Sequence, residues 1–90
     1  MPERHVTVAS KVGLHARPAA MLAKEAAAQS VKITIRKQET DPVEAASILG
    51  LMTLGAAYGD EVVLAADGDG ADDALDRIAD MVSSELDGSN

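Results

Sequence analysis

The chain has 90 residues, enough for one small domain and not two; 47% are hydrophobic, so it can bury a core, although 17 are alanines. The absence of cysteine excludes disulfides, thiol chemistry and cysteine-based zinc sites, and one tyrosine, Tyr58, leaves little aromatic surface for stacking on bases or sugars. A formal net charge of −7, no apolar run of membrane-spanning length and no secretory leader pattern predict a soluble intracellular domain that neither binds nucleic acid nor inserts into a membrane.

Residues 4–8 alternate and predict a strand with Val6 and Val8 inward. A turn follows at Lys11-Val12-Gly13. Residues 16–28, rich in alanine and leucine with Pro18 near the start, predict a helix. Ala19, Leu22, Ala23 and Ala26 form its core stripe; Arg17, Ala20, Met21 and Lys24 form an outward one. Over residues 31–37, Val31, Ile33 and Ile35 alternate with Lys32, Thr34 and Arg36, the pattern of an antiparallel sheet with one face in water. Pro42 predicts a short edge strand at about 40–43, because proline cannot donate to a ladder. Ser47 opens a short apolar helix from Ile48 to about Thr53, ended near Gly55, with Leu51 and Leu54 turned inward. Residues 61–66 predict a strand and Asp67–Gly70 a turn. A last helix runs from about Ala71 to Leu86, with Asp72 and Asp73 at its positive end, and the polar tail Asp87–Asn90 is expected to fray.

The order β-α-β-β-α-β-α predicts an α+β fold: a two-layer open-faced sandwich, a four-stranded antiparallel sheet with three helices on one face, in a single domain over residues 1–90. Charge is divided along it. Residues 1–40 carry seven basic and three acidic groups, whereas residues 41–90 carry one basic group, Arg77, and twelve acidic ones. Such a division marks a basic working face beside an acidic solvated remainder, or simply helix surfaces of different charge.

The densest chemistry lies in Gly13-Leu14-His15-Ala16-Arg17-Pro18. His15 stands where a turn enters a helix, and there the first amides have no intrahelical partner. The positive end of the helix dipole favours an uncharged ring with a free nitrogen lone pair. An anion attached to that ring would meet the free N–H groups of Ala16 and Arg17. The Arg17 guanidinium matches phosphate geometry with parallel hydrogen bonds, and Pro18 fixes the backbone without costing the helix a donor it needs. Proline also disfavours the α conformation at Arg17, so an irregular helix start is expected. These are the parts a phosphorylated histidine requires. A histidine at a helix start is also commonly a cap or a plain surface residue, and that reading stands beside the chemical one.

The segment G-L-H-A-R-P-A at 13–19 resembles the active-site segment of the HPr family, the histidine-containing phosphocarriers of the bacterial phosphotransferase system. A-S-I-L-G-L-M-T-L-G at 46–55 is similar to the family's second signature, and the resemblance runs from about residue 4 to about residue 86. It implies a cytoplasmic carrier, not an enzyme and without a cofactor, acting as a monomer. It would accept a phosphoryl group on Nδ1 of His15 from enzyme I, itself charged by phosphoenolpyruvate, with Arg17 assisting. It would then pass the group to enzyme II A domains of sugar permeases. The partner face implied is the outward stripe Arg17, Ala20, Met21 and Lys24 together with Ile48, Leu49 and Met52 of the short helix, an apolar patch with basic edges. Methionines and small residues suit docking to several partners, and the basic edge favours partners with acidic rims. Ile48 and Met52 could equally be ordinary core.

Ser47 reads as a helix N-cap worth about 1 kcal/mol. In the family the matching serine is, in some bacteria, a regulatory site for a dedicated HPr kinase/phosphorylase; a phosphate there would put negative charge in the partner patch. Glu44, three residues earlier, departs from the neutral or amide residue more usual in the family. The Asp67–Asp72 run fails as a calcium loop, since Ala71, Asp72 and Ile78 occupy positions that need a ligand, a glycine and a glutamate. His5 has no ligand-type neighbour at metal spacing and reads as a strand surface residue. Three other functions compete: a paralogue in a nitrogen-related regulatory phosphotransfer chain, a purely regulatory binding protein, and an acyl carrier. The last needs a serine preceded by aspartate on an all-helical fold, whereas Ala46 precedes Ser47 here. Relatives of the purely regulatory kind lack the histidine, which this chain has.

Overall fold

The computed structural model describes residues 2–84. The elements follow the expected order: β1 (Glu3–Thr7), α1 (Ala16–Ala27), β2 (Ile33–Lys37), β3 (Val43–Glu44), α2 (Ile48–Leu54), β4 (Glu61–Ala66) and α3 (Ala71–Val82). The four strands pair antiparallel in the order β1-β4-β2-β3. Strand alternation splits the sheet into two faces. Ile33, Ile35, Val62, Leu64 and Ala66 point into one core with Leu22, Leu51, Leu75 and Ile78 from the helices. The opposite face is polar apart from Val63 and Ala65 of β4. Val63 is paired in register between His5 and Arg36 and is buried there without joining the core.

The expected helix faces are present. Ala19, Leu22, Ala23 and Ala26 are buried, while Arg17, Ala20, Met21 and Lys24 are exposed. Arg4 shares the inward side of β1 with Val6 and ties the strand to α3. Its Nε donates to Asp76 Oδ1 at 2.9 Å and its Nη2 to Asp72 Oδ1 at 3.2 Å. Hydrogen bonding to Asp76, then to Asp72, holds this guanidinium charged above its ordinary range. Arg77 Nε meets Glu25 Oε2 at 3.2 Å and joins α3 to α1.

Several boundaries differ from expectation. Val8 lies just past β1; it is buried, and its N–H goes to the Asp60 carbonyl rather than to the ladder. β2 begins at Ile33, two residues late, with Val31 packed against the core from outside the strand. The edge strand is only Val43–Glu44, because residues 37–40 close a turn: Lys37 N–H donates to Thr40 Oγ1 at 3.0 Å and Thr40 N–H to the Lys37 carbonyl at 3.2 Å. α3 ends at Val82, where Ser83 N–H still reaches the Ala79 carbonyl; Leu86 and the tail 87–90 lie outside the described residues.

Candidate functional site

The turn leading into α1 is set by backbone packing. Gly13 has φ +75°, and a Cβ built on it would stand 2.5 Å from the Ala56 carbonyl oxygen and 3.0 Å from Ala57 Cα. Only glycine lets the two segments approach so closely. The Leu14 N–H donates to that same Ala56 carbonyl at 2.9 Å, and Gly13 N–H donates to the Ser10 carbonyl at 2.9 Å. Leu14 plugs into the core at 1% exposure. The next residue, His15, is therefore held on the surface at the mouth of α1.

His15 is the N-cap residue of α1, with extended backbone (φ −145°, ψ 155°), and its side chain makes no cap hydrogen bond. Its imidazole is exposed. Ala16 follows at φ 52°, the one non-glycine residue with positive φ among the described residues. The left-handed region costs an alanine about 1–2 kcal/mol, and such strain persists only where surrounding contacts impose it. The expected irregularity thus falls one residue earlier than Arg17. Pro18 is buried and anchors the first turn. Having no N–H, it leaves Ala16 and Arg17 as the donors beside the histidine.

Among the described residues, neither of those two amides has a hydrogen-bond acceptor outside the helix, and the exposed Arg17 side chain makes no hydrogen bond or ion pair. No acidic residue stands in the first turn of α1. Together these features leave an exposed imidazole, free N–H groups, a free guanidinium and the positive end of a helix dipole at one place. That arrangement has the chemistry to receive an anion carried on the ring.

α1 packs against α2, so their outward faces adjoin. Met21, Ile48, Leu49 and Met52 are exposed at 39%, 45%, 75% and 37%, while Leu51 and Leu54 are buried. The core alternative for Ile48 and Met52 is therefore not met. Ala20 and Lys24 complete the α1 side of this apolar patch. Val12 and Tyr58 are exposed apolar residues that sequence reasoning left out. Their chain neighbours, Gly13 and Ala57, touch, and that approach was hidden because it joins segments more than forty residues apart. The positive φ at Ala16 had no signal in residue type.

Ser47 caps α2: its Oγ accepts from Gly50 N–H at 2.9 Å. A side chain at position 50 would press on Ser47, since a Cβ there would lie 3.3 Å from both its Cβ and its Oγ. Glu44 meets Lys32 at 3.5 Å and sends its backbone carbonyl, not its carboxylate, to Ser47 N–H. Among the described residues there is no group of three or more His, Asp or Glu placed to hold a metal ion, and no helix is long and apolar enough to cross a membrane.

Known proteins are similar to this chain in sequence and in fold. Residues 2–84 match the family described as the PTS HPr component phosphorylation site. The phosphocarrier protein HPr of Streptomyces coelicolor is 48% identical over 86 residues, covering 96% of this chain and 92% of the relative. The phosphocarrier protein NPr of Shewanella violacea is 42% identical over 85 residues, covering 94% and 92%. A crystal structure of HPr from Thermoanaerobacter tengcongensis superposes with a TM-score of 0.89 at 34% identity, covering 100% of both chains. The family match, the identities and the superposition agree, and the chain belongs to the HPr family of phosphocarrier proteins of the phosphotransferase system.

Proposed function

We propose that this chain is the phosphoryl carrier of a phosphoenolpyruvate-dependent sugar phosphotransferase system, taking the group on His15 from enzyme I and handing it to enzyme II A domains. The observation that carries this is the exposed His15 ring at the start of α1, uncapped, next to two free amides and an unpaired guanidinium. In the forward step the Nδ1 lone pair forms a bond to phosphorus as the bond between phosphorus and the donor's leaving atom breaks. The ring then bears a dianionic group. The N–H groups of Ala16 and Arg17 and the Arg17 side chain take up that charge, while Pro18 fixes their backbone. The acceptor on an A domain attacks the same phosphorus to reverse the step. His15 is restored, so the protein acts as a carrier rather than an enzyme and the cycle calls for no cofactor.

Ala20, Met21, Lys24, Ile48, Leu49 and Met52 supply the docking face. Apolar contact gives short-lived binding, and the lysine and arginine at its edge speed encounter with acidic rims. The carrier works as a single copy in the cytoplasm. Where an HPr kinase/phosphorylase is present, phosphate on Ser47 would keep its place at a helix start and repel those rims.

The experiment is incubation with phosphoenolpyruvate and enzyme I, read by mass. One acid-labile phosphoryl group is expected on the native chain and none on His15→Ala. No uptake, or a phosphate that survives His15→Ala, rejects the reading. A second reading, a nitrogen-related regulatory carrier, rests on the 42% identity to the NPr protein, against 48% to the Streptomyces HPr. Faster uptake from the enzyme I paralogue of that branch than from the sugar-branch enzyme would establish it instead.

A further inference from the structure

We infer that Lys37 and Asp60, outside the two signature segments, form a brace that positions the phosphoryl-accepting turn through the segment that follows α2. The inference rests on the carrier reading above for its functional half only. Lys37 closes β2, and its Nζ donates to the Gly55 carbonyl at 3.4 Å. Gly55 ends α2 in a left-handed conformation, where unpaired carbonyls and the negative end of the helix dipole favour a cation. The same ammonium lies 3.9 Å from Asp60 Oδ2. That carboxylate oxygen accepts from Ala57 N–H at 2.9 Å, and Asp60 N–H returns a bond to the Ala57 carbonyl at 2.9 Å. A further pair, Val8 N–H to the Asp60 carbonyl and Gly59 N–H to the Val8 carbonyl, fixes the far end of the turn to the chain leaving β1.

Between these two anchored points, Gly55 and Ala57, stands Ala56. Its carbonyl accepts from Leu14 N–H and faces Gly13 with no room for a side chain. A shift of this carbonyl moves Leu14, and Leu14 immediately precedes His15 and the strained Ala16. Lys37 and Asp60 are both about one-third to two-fifths exposed, at 34% and 41%, so their ion pair adds little to global stability. What the pair does is hold one carbonyl in register. Lys37 and Asp60 are positioning residues: neither is placed to touch the phosphoryl group.

The test uses the full chain with three substitutions, Lys37→Met, Asp60→Ala and Lys37→Arg. Lys37→Met and Asp60→Ala are each expected to speed amide hydrogen exchange at Leu14 by about two- to fivefold, the range given by one cation at a helix end. Exchange at Leu64, in the central strand β4, stays unchanged. With enzyme I as phosphoryl donor, kcat falls by a similar factor and KM holds, because the docking face is intact; Lys37→Arg, which keeps the cation, restores both readouts. Unchanged Leu14 exchange, an equal rise at Leu64, a change in KM alone, or a Lys37→Arg variant as poor as Lys37→Met each overturns the brace. A native chain that takes up no phosphate defeats the carrier reading, and Leu14 exchange still decides the brace.

Discussion

α1 and α3 are both twelve residues long, and they begin in opposite ways. α3 starts from Gly70 and carries Asp72 and Asp73 in its first turn, negative charge set against the positive end of the dipole. Asp72 is further tied to Arg4. α1 starts from His15, whose side chain caps nothing, and it has no acid in its first turn. α2 is the intermediate case, capped by the Ser47 hydroxyl. Of three helix starts, the one left without acid or cap is the one that carries the histidine. Under the proposed carrier role, the stabilisation withheld there is what an incoming phosphoryl group would supply.

Making α1 begin like α3 is the sharpest way to break that contrast. Arg17→Glu puts a carboxylate in the first turn and removes the guanidinium. Phosphoryl uptake is expected to fall by about 10²-fold or more, the scale of losing one preorganised donor to a developing charge. Thermal stability should rise slightly, by about 0.3–1 kcal/mol, the worth of an acid at a helix start. Transfer kinetics and a denaturation curve on one sample check both signs. A variant that loses stability along with activity would mean that Arg17 holds the fold rather than the cargo.

The next effect is on the turn itself. Gly13→Ala forces a left-handed alanine and a Cβ against the Ala56 carbonyl. A loss of roughly 1–3 kcal/mol is expected in a urea titration, since a strained backbone position costs that much. Ser47→Ala, at the capped helix, should cost about 1 kcal/mol while phosphoryl uptake on His15 continues at the native rate. Asp73→Asn removes dipole complement from α3, where the side chain has no ion-pair partner among the described residues. About 0.3–1 kcal/mol should be lost, again with transfer unchanged. The smallest change is at Ser10, whose hydroxyl is buried without a hydrogen-bond partner among the described residues. Ser10→Ala should leave the melting temperature unchanged or raise it, because an unsatisfied buried hydroxyl opposes folding.

Much of this was legible in the chain. The stripe Ala19, Leu22, Ala23, Ala26 and the alternation through Ile33 and Ile35 placed the core, since burial follows helical and strand periods. His15, Arg17 and Pro18 could be assigned to a helix start because proline, glycine and alanine mark that boundary locally. Other features depend on the meeting of distant segments. Ala16 at φ 52° is one, since alanine itself gives no warning of it. Another is the close approach of Gly13 to Ala56, which required the end of α2 to be in place. A third is Lys37, which looked like the last residue of an alternating strand and is in fact bonded to the end of α2. The edge-strand boundary slipped for a local reason: the Thr40 hydroxyl closes a turn with Lys37 where a strand was expected.

The central claim is that the open start of α1 holds the phosphoryl group on His15. It is tested most directly by recording the backbone amide proton resonances of the chain before and after phosphorylation by enzyme I. The Ala16 and Arg17 amides should move most, downfield, as they begin to donate to phosphate oxygens. A chain phosphorylated on His15 in which those two amides stay still, and the largest shifts lie elsewhere, would contradict the account.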